Sequence, residues 1–567
     1  MTTPLPTTAD RPRPWLLALL VLALSLWPAG NPLRLALGSE LGEADNHLWM
    51  FWRAQQGLAG RPGPWTNLPE PSSLLLMDPA NLPVYLLGAW LDPVVGWNLL
   101  AAFSVGLALL GGYRLGAEVG GPAAATPTML ALGCTPFLSG VIDLGITEAW
   151  GLGWLALHAA FLLRLARLGR ALDALGAGLC LGALALTGWY AALFGLVAEA
   201  GLLAWALSRG GLRRLPLLLA QGALAALLVL PQLLATRQAP AHWAGRVRPP
   251  SPQAPPPRAD WDTMYIQGAD LLAFLKPSLG SVDPSLSVYL GPVLALLCLL
   301  GLARRPRLAA PALAVAAPLL LLALGHWPSL AGRPFGPWGP AAWLAQAVPA
   351  LQGISHWHRA VGAAAPFLAL AAGLGLASLP SPRLRLVLGG LLLGDALLLS
   401  HTAWPRRVHP VEAPAVLMEL AARPERGGII QIPFDNGRPM FSSEPARLYD
   451  RWQVRHGRPR AESYEEVDAL LVRSPLVAGW QAASGLPWTL PPEQLPPRRV
   501  REQAPLTEPG QVQAEVEALV ASGYAFVVLH TARAPQAEQA AAAISAALGP
   551  GTTVGDDSYW PLPGAAP

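Results

Sequence analysis

The chain has 567 residues, of which 53% are hydrophobic and only 13% charged, with a formal net charge of +4. Soluble domains carry about 25% charged residues, so half that density excludes an ordinary soluble enzyme and points to a membrane protein. The positive charge is nearly all arginine, since Lys276 is the only lysine, and it lies in short clusters between apolar runs, which argues against a nucleic-acid partner.

In chain order, Arg11 and Arg13 precede a first apolar run at 15–29, with no small-residue cleavage site after it. That reads as a retained signal-anchor helix. A long connection, 30–92, follows and carries Gly42-Glu43-Ala44-Asp45-Asn46-His47, then the aromatic-rich Leu48-Trp49-Met50-Phe51-Trp52. Leu48, Phe51, Trp52 and Leu58 recur at helical spacing, which predicts a helix over 46–59 lying along the interface, with Asp45 or Asn46 as its N-cap. Asp78, in Met77-Asp78-Pro79-Ala80-Asn81, reads as a turn former or a second carboxylate for acceptor binding.

Further apolar runs fall at 93–113, 122–142, 148–166, 171–187, 189–207, 215–234, 287–303, 308–325, 361–379 and 386–401. With the first they make about eleven spans, each near the length that crosses a bilayer core of about 30 Å. The arginines cluster at 11/13, 114, 164/167/170, 209/213/214, 304/305/307 and 383/385, that is, in alternate connections. An N-in, C-out orientation satisfies the positive-inside rule at every turn. The opposite connections, among them 30–92, 235–286 and 326–360, hold the chemistry-capable side chains.

Asp143 and Glu148 flank a short outer turn; they either join an acidic cavity or serve as helix ends in water. Glu199 and Asp395 fall inside apolar runs, where a charge is costly, and read as protonated or paired structural groups. Cys134, Cys180 and Cys298 lack metal-ligand spacing and read as packing residues. The loop 235–286 opens with a proline-rich stretch, Pro249 to Pro257, and turns amphipathic from Trp261 to Phe274.

After His401 the composition changes. Short apolar runs at 428–432 and 524–529 read as buried strands, with helical patterns at 411–422, 511–522 and 535–548. The fold class expected is an α-helical polytopic membrane domain over 1–401, with a small α/β extracytoplasmic domain over 402–567. His456-Gly457-Arg458-Pro459 stands out there without matching a specific motif.

An outer loop directly after the first helix, an acidic pair within it, a surface helix next, many spans and a terminal soluble domain resemble the GT-C glycosyltransferases. Glu43 and Asp45 match the modified D-x-D or E-x-D of that family in kind and place. Gly188-Trp189-Tyr190 and Ile354-Ser355-His356-Trp357-His358-Arg359 resemble uncharacterised bacterial membrane proteins of the same type. The resemblance implies a polyprenyl-phosphate sugar as donor and an extracytoplasmic glycan, lipid or protein as acceptor. It also implies placement in the bacterial inner membrane among its lipids. Glu43 and Asp45 would be catalytic, one activating the acceptor hydroxyl, or ligands of a divalent metal, Mg or Mn. Arg359 would hold the lipid phosphate, with His47, Asp78, Asp143, Glu148, His356 and His358 as further binding residues. Absence of a G-x-G-x-x-G or Walker motif favours a lipid-linked donor over a sugar nucleotide. The competing readings are a transporter or flippase of a lipid-linked glycan, which predicts functional charges within the spans, and a non-catalytic assembly protein.

Overall fold

The computed structural model describes residues 14–27, 34–40, 42–61, 63, 65, 76, 78–210, 212–238, 268–276, 288–331, 333–334, 336, 339–349, 351, 354, 356–400, 406–434, 448–461, 474–486 and 508–565. Arg11, Arg13, the stretch from Pro249 to Pro257, Trp261, Ser355 and His401 lie outside them. The chain forms two compact units, Met1–Ala44 with Met77–His409, and Asp45–Leu76 with Pro410–Pro567.

The first unit is helical, and each apolar run of the sequence carries a helix. These are α1 (Pro14–Leu26), then, after α2 (Ala44–Leu58) of the second unit and the short α3 (Leu82–Ala89), α4 (Pro93–Gly120), α5 (Pro122–Gly133), α6 (Pro136–Asp143), α7 (Leu152–Leu168), α8 (Ala171–Thr187), α9 (Trp189–Gly210) and α10 (Leu215–Gln238). The remainder are α11 (Pro292–Arg304), α12 (Pro306–Ala323), the short α13 (Pro340–Ala347), α14 (Ala360–Ala377) and α15 (Pro382–Gly394). Among the described residues, seven helical segments are long and apolar enough to cross a membrane: Pro93–Gly120, Pro122–Asp143, Thr147–Leu168, Trp189–Gly210, Leu212–Arg237, Pro306–Ala323 and Trp357–Ala377. Shorter apolar helices lie at Pro14–Leu24, Ala171–Thr187 and Pro292–Arg304. The chain is a multi-pass membrane protein.

Proline opens many of these helices, at the one position where its missing N–H costs nothing. Glycine sets the packing. A Cβ on Gly116 of α4 would lie 2.6 Å from the Ala124 carbonyl oxygen, and one on Gly375 of α14 would lie 2.1 Å from that of Leu297. Without a hydrophobic drive between helices in lipid, such backbone approach supplies the contact. Helix α14 is apolar on all sides and buried over nearly its whole length, the pattern of a central helix. Its N-terminus carries Arg359.

The two carboxylates expected inside apolar runs, Glu199 and Asp395, are both hydrogen-bonded, as the cost of burial demands. Glu199 receives His158 at 2.5 Å and the Gln221 amide at 2.8 Å. Asp395 accepts from the Tyr289 hydroxyl at 2.5 Å and from the Val293 N–H at 3.1 Å. The three cysteines are free and buried.

In the second unit the expected strands form at the expected residues, β5 (Gly428–Ile432) and β6 (Tyr524–Leu529), following β1 (Leu35–Leu37), β2 (Ser329–Leu330), β3 (Arg333–Pro334) and β4 (Val408–Pro410) earlier in the chain. Strands β5 and β6 pair in parallel, and a hairpin of β7 (Thr552–Val554) and β8 (Asp557–Pro561) adds antiparallel, giving the order β5-β6-β8-β7. Helices α16 (Ala415–Ala422) and α17 (Leu448–His456) cover one face, on Ile429, Phe526 and Val528. Helices α18 (Pro475–Ala483), α19 (Pro509–Ala521) and α20 (Ala537–Leu548) cover the other, on Ile430, Ile432, Val527 and Leu529. Both faces are dry, so the strands read as continuous apolar runs without alternation.

The helix expected over 46–59 is α2, but it is not a surface helix: Ala44 to Trp52 are buried all round. Trp49 donates from Nε1 to Gln453 of α17 at 2.6 Å, and the Arg460 guanidinium lies 5.4 Å from its ring. Asp45 is no N-cap; it sits in the first turn, 3.6 Å from Arg451. Arg458 of the His456-Gly457-Arg458-Pro459 stretch is structural. Its guanidinium donates to the carbonyls of Leu420, Arg423 and Glu425, which terminate α16.

Candidate active site

The site forms in the first unit where the C-terminal end of α6 and the N-terminal ends of α9 and α14 meet. Its carboxylates are delivered by backbone contacts. Strand β1 is fastened to α4 by the Trp97 Nε1 donor to the Leu37 carbonyl, 2.7 Å, and by Asn98, which bonds Leu37 N at 2.9 Å and the Leu35 carbonyl at 2.8 Å. The chain then docks on the turn after α6: Ser39 N donates to the Asp143 carbonyl at 2.6 Å and Glu43 N to the Leu144 carbonyl at 2.5 Å. Gly42 permits this, because a Cβ there would meet the Leu144 carbonyl oxygen at 2.5 Å. Glu43 is thereby set beside the 3₁₀ turn Thr147–Ala149 that carries Glu148, and a carboxylate oxygen of each lies within 4.8 Å of the other.

Arg359 stands against this pair. Its Nη1 donates to Glu148 at 2.8 Å, its guanidinium lies 4.7 Å from the Tyr190 ring, and its side chain is 6% exposed. Glu43 also acts electrostatically on it. Its Nε has no acceptor among the described residues. The Tyr190 hydroxyl bonds His356 Nδ1 at 3.0 Å, and the His356 and His358 rings lie 5.7 Å apart. Burial, then the charge of Arg359 and of His358, holds the His356 imidazole well below its ordinary pKa range, with Glu43 opposing. His356 is neutral at physiological pH. Glu148, Tyr190 and Arg359 are the polar members of a small cavity, about 30 Å³, whose walls are otherwise apolar, among them Phe137, Leu152, Leu184 and Phe194.

Of the other expected residues, Asp78 and Asp143 are buried in the same unit. Arg359 is buried. Asp143 and Glu148 are not helix ends in water. Asp143 is 1% exposed and held in an ion pair by Arg407, while Arg406 bonds the Ser139 carbonyl at 2.7 Å. Asp78 is buried and accepts from the Thr147 hydroxyl, and Asn81 bonds the Thr147 carbonyl at 3.2 Å. Asp78 thus braces the turn that presents Glu148. Asp45 and His47 belong to the second unit, both buried on the first turn of α2. Tyr190 was absent from the expected site residues. Its signal was available in Gly188-Trp189-Tyr190 at the start of a span.

No protein-family model and no curated protein matches the chain. Among solved structures, the archaeal oligosaccharyltransferase AglB from Archaeoglobus fulgidus, in complex with an inhibitory peptide and a dolichol-phosphate, is similar with a TM-score of 0.50 and 12% identity, over 91% of this chain and 69% of that one. ArnT from Cupriavidus metallidurans is similar in two states. Bound to undecaprenyl phosphate it has a TM-score of 0.47 and 15% identity, over 98% of each chain. In the apo state it has a TM-score of 0.46 and 17% identity, over 97% and 98%. The likeness to AglB shows the fold, a GT-C multi-span membrane architecture followed by a C-terminal region with a small sheet.

Proposed function

We propose that the chain is a glycosyltransferase of the bacterial cytoplasmic membrane that moves a sugar from a polyprenyl-phosphate donor to an extracytoplasmic acceptor. The N-terminus would be cytoplasmic, and the active site and the domain over 402–567 would face outward. One observation carries this reading: a buried arginine, flanked by two carboxylates, keeps an N–H donor without an acceptor among the described residues, beside a small and otherwise apolar cavity. An anion with an apolar tail complements that arrangement, since guanidinium binds phosphate strongly in a site screened from water. The dolichol-phosphate in the AglB complex supports the same ligand class on this fold.

In the reaction, the bond between the sugar's anomeric carbon and the phosphate oxygen breaks, and the lipid phosphate leaves with the electron pair. Arg359 stabilises that developing charge. The acceptor oxygen bonds to the anomeric carbon and its proton passes to the Glu43 carboxylate. Glu148 orients Arg359, Tyr190 supports the guanidinium face, and Asp78 holds the Glu148 turn. Oxygens of Glu43 and Glu148 within 4.8 Å suit a single hard cation, so these two would hold a divalent ion, which would neutralise phosphate charge. The two carboxylates within apolar runs, Glu199 and Asp395, are tied to internal partners, which supports an enzyme over a transporter.

Native mass spectrometry of purified wild type, Arg359→Lys and Glu43→Gln tests the reading. A co-purifying polyprenyl-phosphate sugar is expected in wild type, reduced about 30-fold or more in Arg359→Lys, which keeps the charge but loses the planar fork, and accumulated in Glu43→Gln. The same lipid load in all three proteins overturns it.

A further inference from the structure

A second cluster of polar groups lies just outside the Arg359 site. Helix α12 ends at Ala323, and Gly325 just past its cap, with a left-handed backbone (φ 68°), turns the chain and delivers His326. Two glycines hem that turn. A Cβ on Gly268 would meet the Leu324 carbonyl oxygen at 1.7 Å, and one on Gly339 would meet that of Gly325 at 2.0 Å; Gly339 N donates to the His326 carbonyl at 3.1 Å. The imidazole is fixed against Trp357, ring centroids 5.7 Å apart, and Trp357 packs on Phe194, a wall of the apolar cavity, at 6.1 Å. His326 is 3% exposed and Trp357 is fully buried.

Neither ring nitrogen of His326, nor Nε1 of Trp357, has a hydrogen-bond partner among the described residues. A buried polar atom left unmade costs about 1–3 kcal/mol, so three in one place mark a site completed by something else. Their chemistry defines what. With no carboxylate among the described residues acting on it and burial lowering its pKa, the imidazole is neutral, offering one donor and one acceptor. The indole adds a donor. A phosphate has only acceptors to give and would leave the imidazole acceptor unmatched. A hydroxyl both donates and accepts, and adjacent hydroxyls on one ring match the set.

We infer that His326 and Trp357 form the subsite for the sugar hydroxyls of a lipid-linked donor, beside the phosphate site at Arg359. This rests on the transferase reading and divides the donor between two sets of residues: Arg359, two positions after Trp357, takes the phosphate, and the His326–Trp357 pair takes the neutral polyol.

The test measures affinity of the purified full chain for undecaprenyl phosphate and for a panel of synthetic undecaprenyl-phosphate-linked hexoses and pentoses. Variants are His326→Ala, His326→Gln, which restores a donor and an acceptor, Trp357→Phe, which removes only the N–H donor from a retained ring, and Arg359→Lys. Wild type should bind at least one glycosylated lipid about tenfold more tightly than the bare one. His326→Ala and Trp357→Phe should abolish that preference while keeping bare-lipid affinity within about twofold, and His326→Gln should restore part of it. Arg359→Lys should weaken both lipids alike. A wild type that binds every panel lipid no better than undecaprenyl phosphate overturns the subsite and leaves the phosphate site standing. Equal loss of both lipids in Trp357→Phe and His326→Gln overturns it as well. A wild type that binds none of the lipids refutes the transferase reading itself.

Discussion

Replacing Glu148 with glutamine isolates what holds Arg359. The pair is close, 2.8 Å, and both side chains are largely buried, 6% and 13% exposed. With an effective dielectric of about 20, the attraction at that distance is about 6 kcal/mol, most of it spent against desolvation. Removing one partner of a buried pair costs about 3–5 kcal/mol, and Glu43, which also acts on Arg359, keeps the expected loss near the lower end. Thermal unfolding in detergent should therefore place Glu148→Gln well below wild type. The double variant Glu148→Gln/Arg359→Met, which removes the stranded charge as well, should recover most of the loss. Undecaprenyl phosphate gives a second reading, because its phosphate replaces the missing carboxylate at Arg359. Saturating lipid should raise the midpoint of Glu148→Gln by more than that of wild type. A double variant no more stable than Glu148→Gln would refute the argument from an uncompensated charge. Equal stabilisation of both proteins by lipid would refute Arg359 as the phosphate ligand.

The helices were legible from sequence because composition and length alone place apolar helices in a bilayer, and the two central strands because both of their faces are dry. What the pattern could not reveal is which carboxylates meet. Glu43 and Asp45 are two residues apart, yet Glu43 is bonded to the turn after α6 while Asp45 pairs with Arg451, some 400 residues on. Glu148, which reads in sequence either as part of an acidic cavity or as a helix end in water, is the group that reaches Arg359. The same limit hid the burial of the first half of α2. Its apolar positions recur at helical spacing, but Asn46 and His47 are buried too, and period alone cannot report a helix enclosed on all sides. His326 carries no motif and Trp357 only a place in the 354–359 stretch; the pair stands out once their nitrogens are seen to lack partners among the described residues.

Gly188 precedes α9, and its role is space, since its φ of 168° is open to any residue. A Cβ there would lie 2.5 Å from that of Glu148, so Gly188→Ala should displace Glu148 and reduce both transfer and stability, whereas Gly390→Ala, with nothing within 4 Å in α15, should be neutral or stabilising by about 0.5–1 kcal/mol. In the second unit the pH response follows from His456. Burial, then Arg460 and Arg458, lowers its pKa to about 3, against 6.5 in an unfolded chain. A depressed value means that the unfolded state binds the extra proton first. The stabilisation is therefore complete above pH 6.5 and is lost progressively as pH falls toward 3. At about 1.36 kcal/mol per unit, the loss approaches about 4–5 kcal/mol at the acid end. Burial likewise depresses His530, which bonds Asp557 at 2.8 Å, so the two histidines act in the same direction. Hydrogen exchange of residues 410–567 in the intact protein should show protection falling between pH 6.5 and 4, with a shallower slope in His456→Gln. Protection in wild type that is flat across that range would mean that His456 does not reach a desolvated position and that α17 ends nearer to solvent.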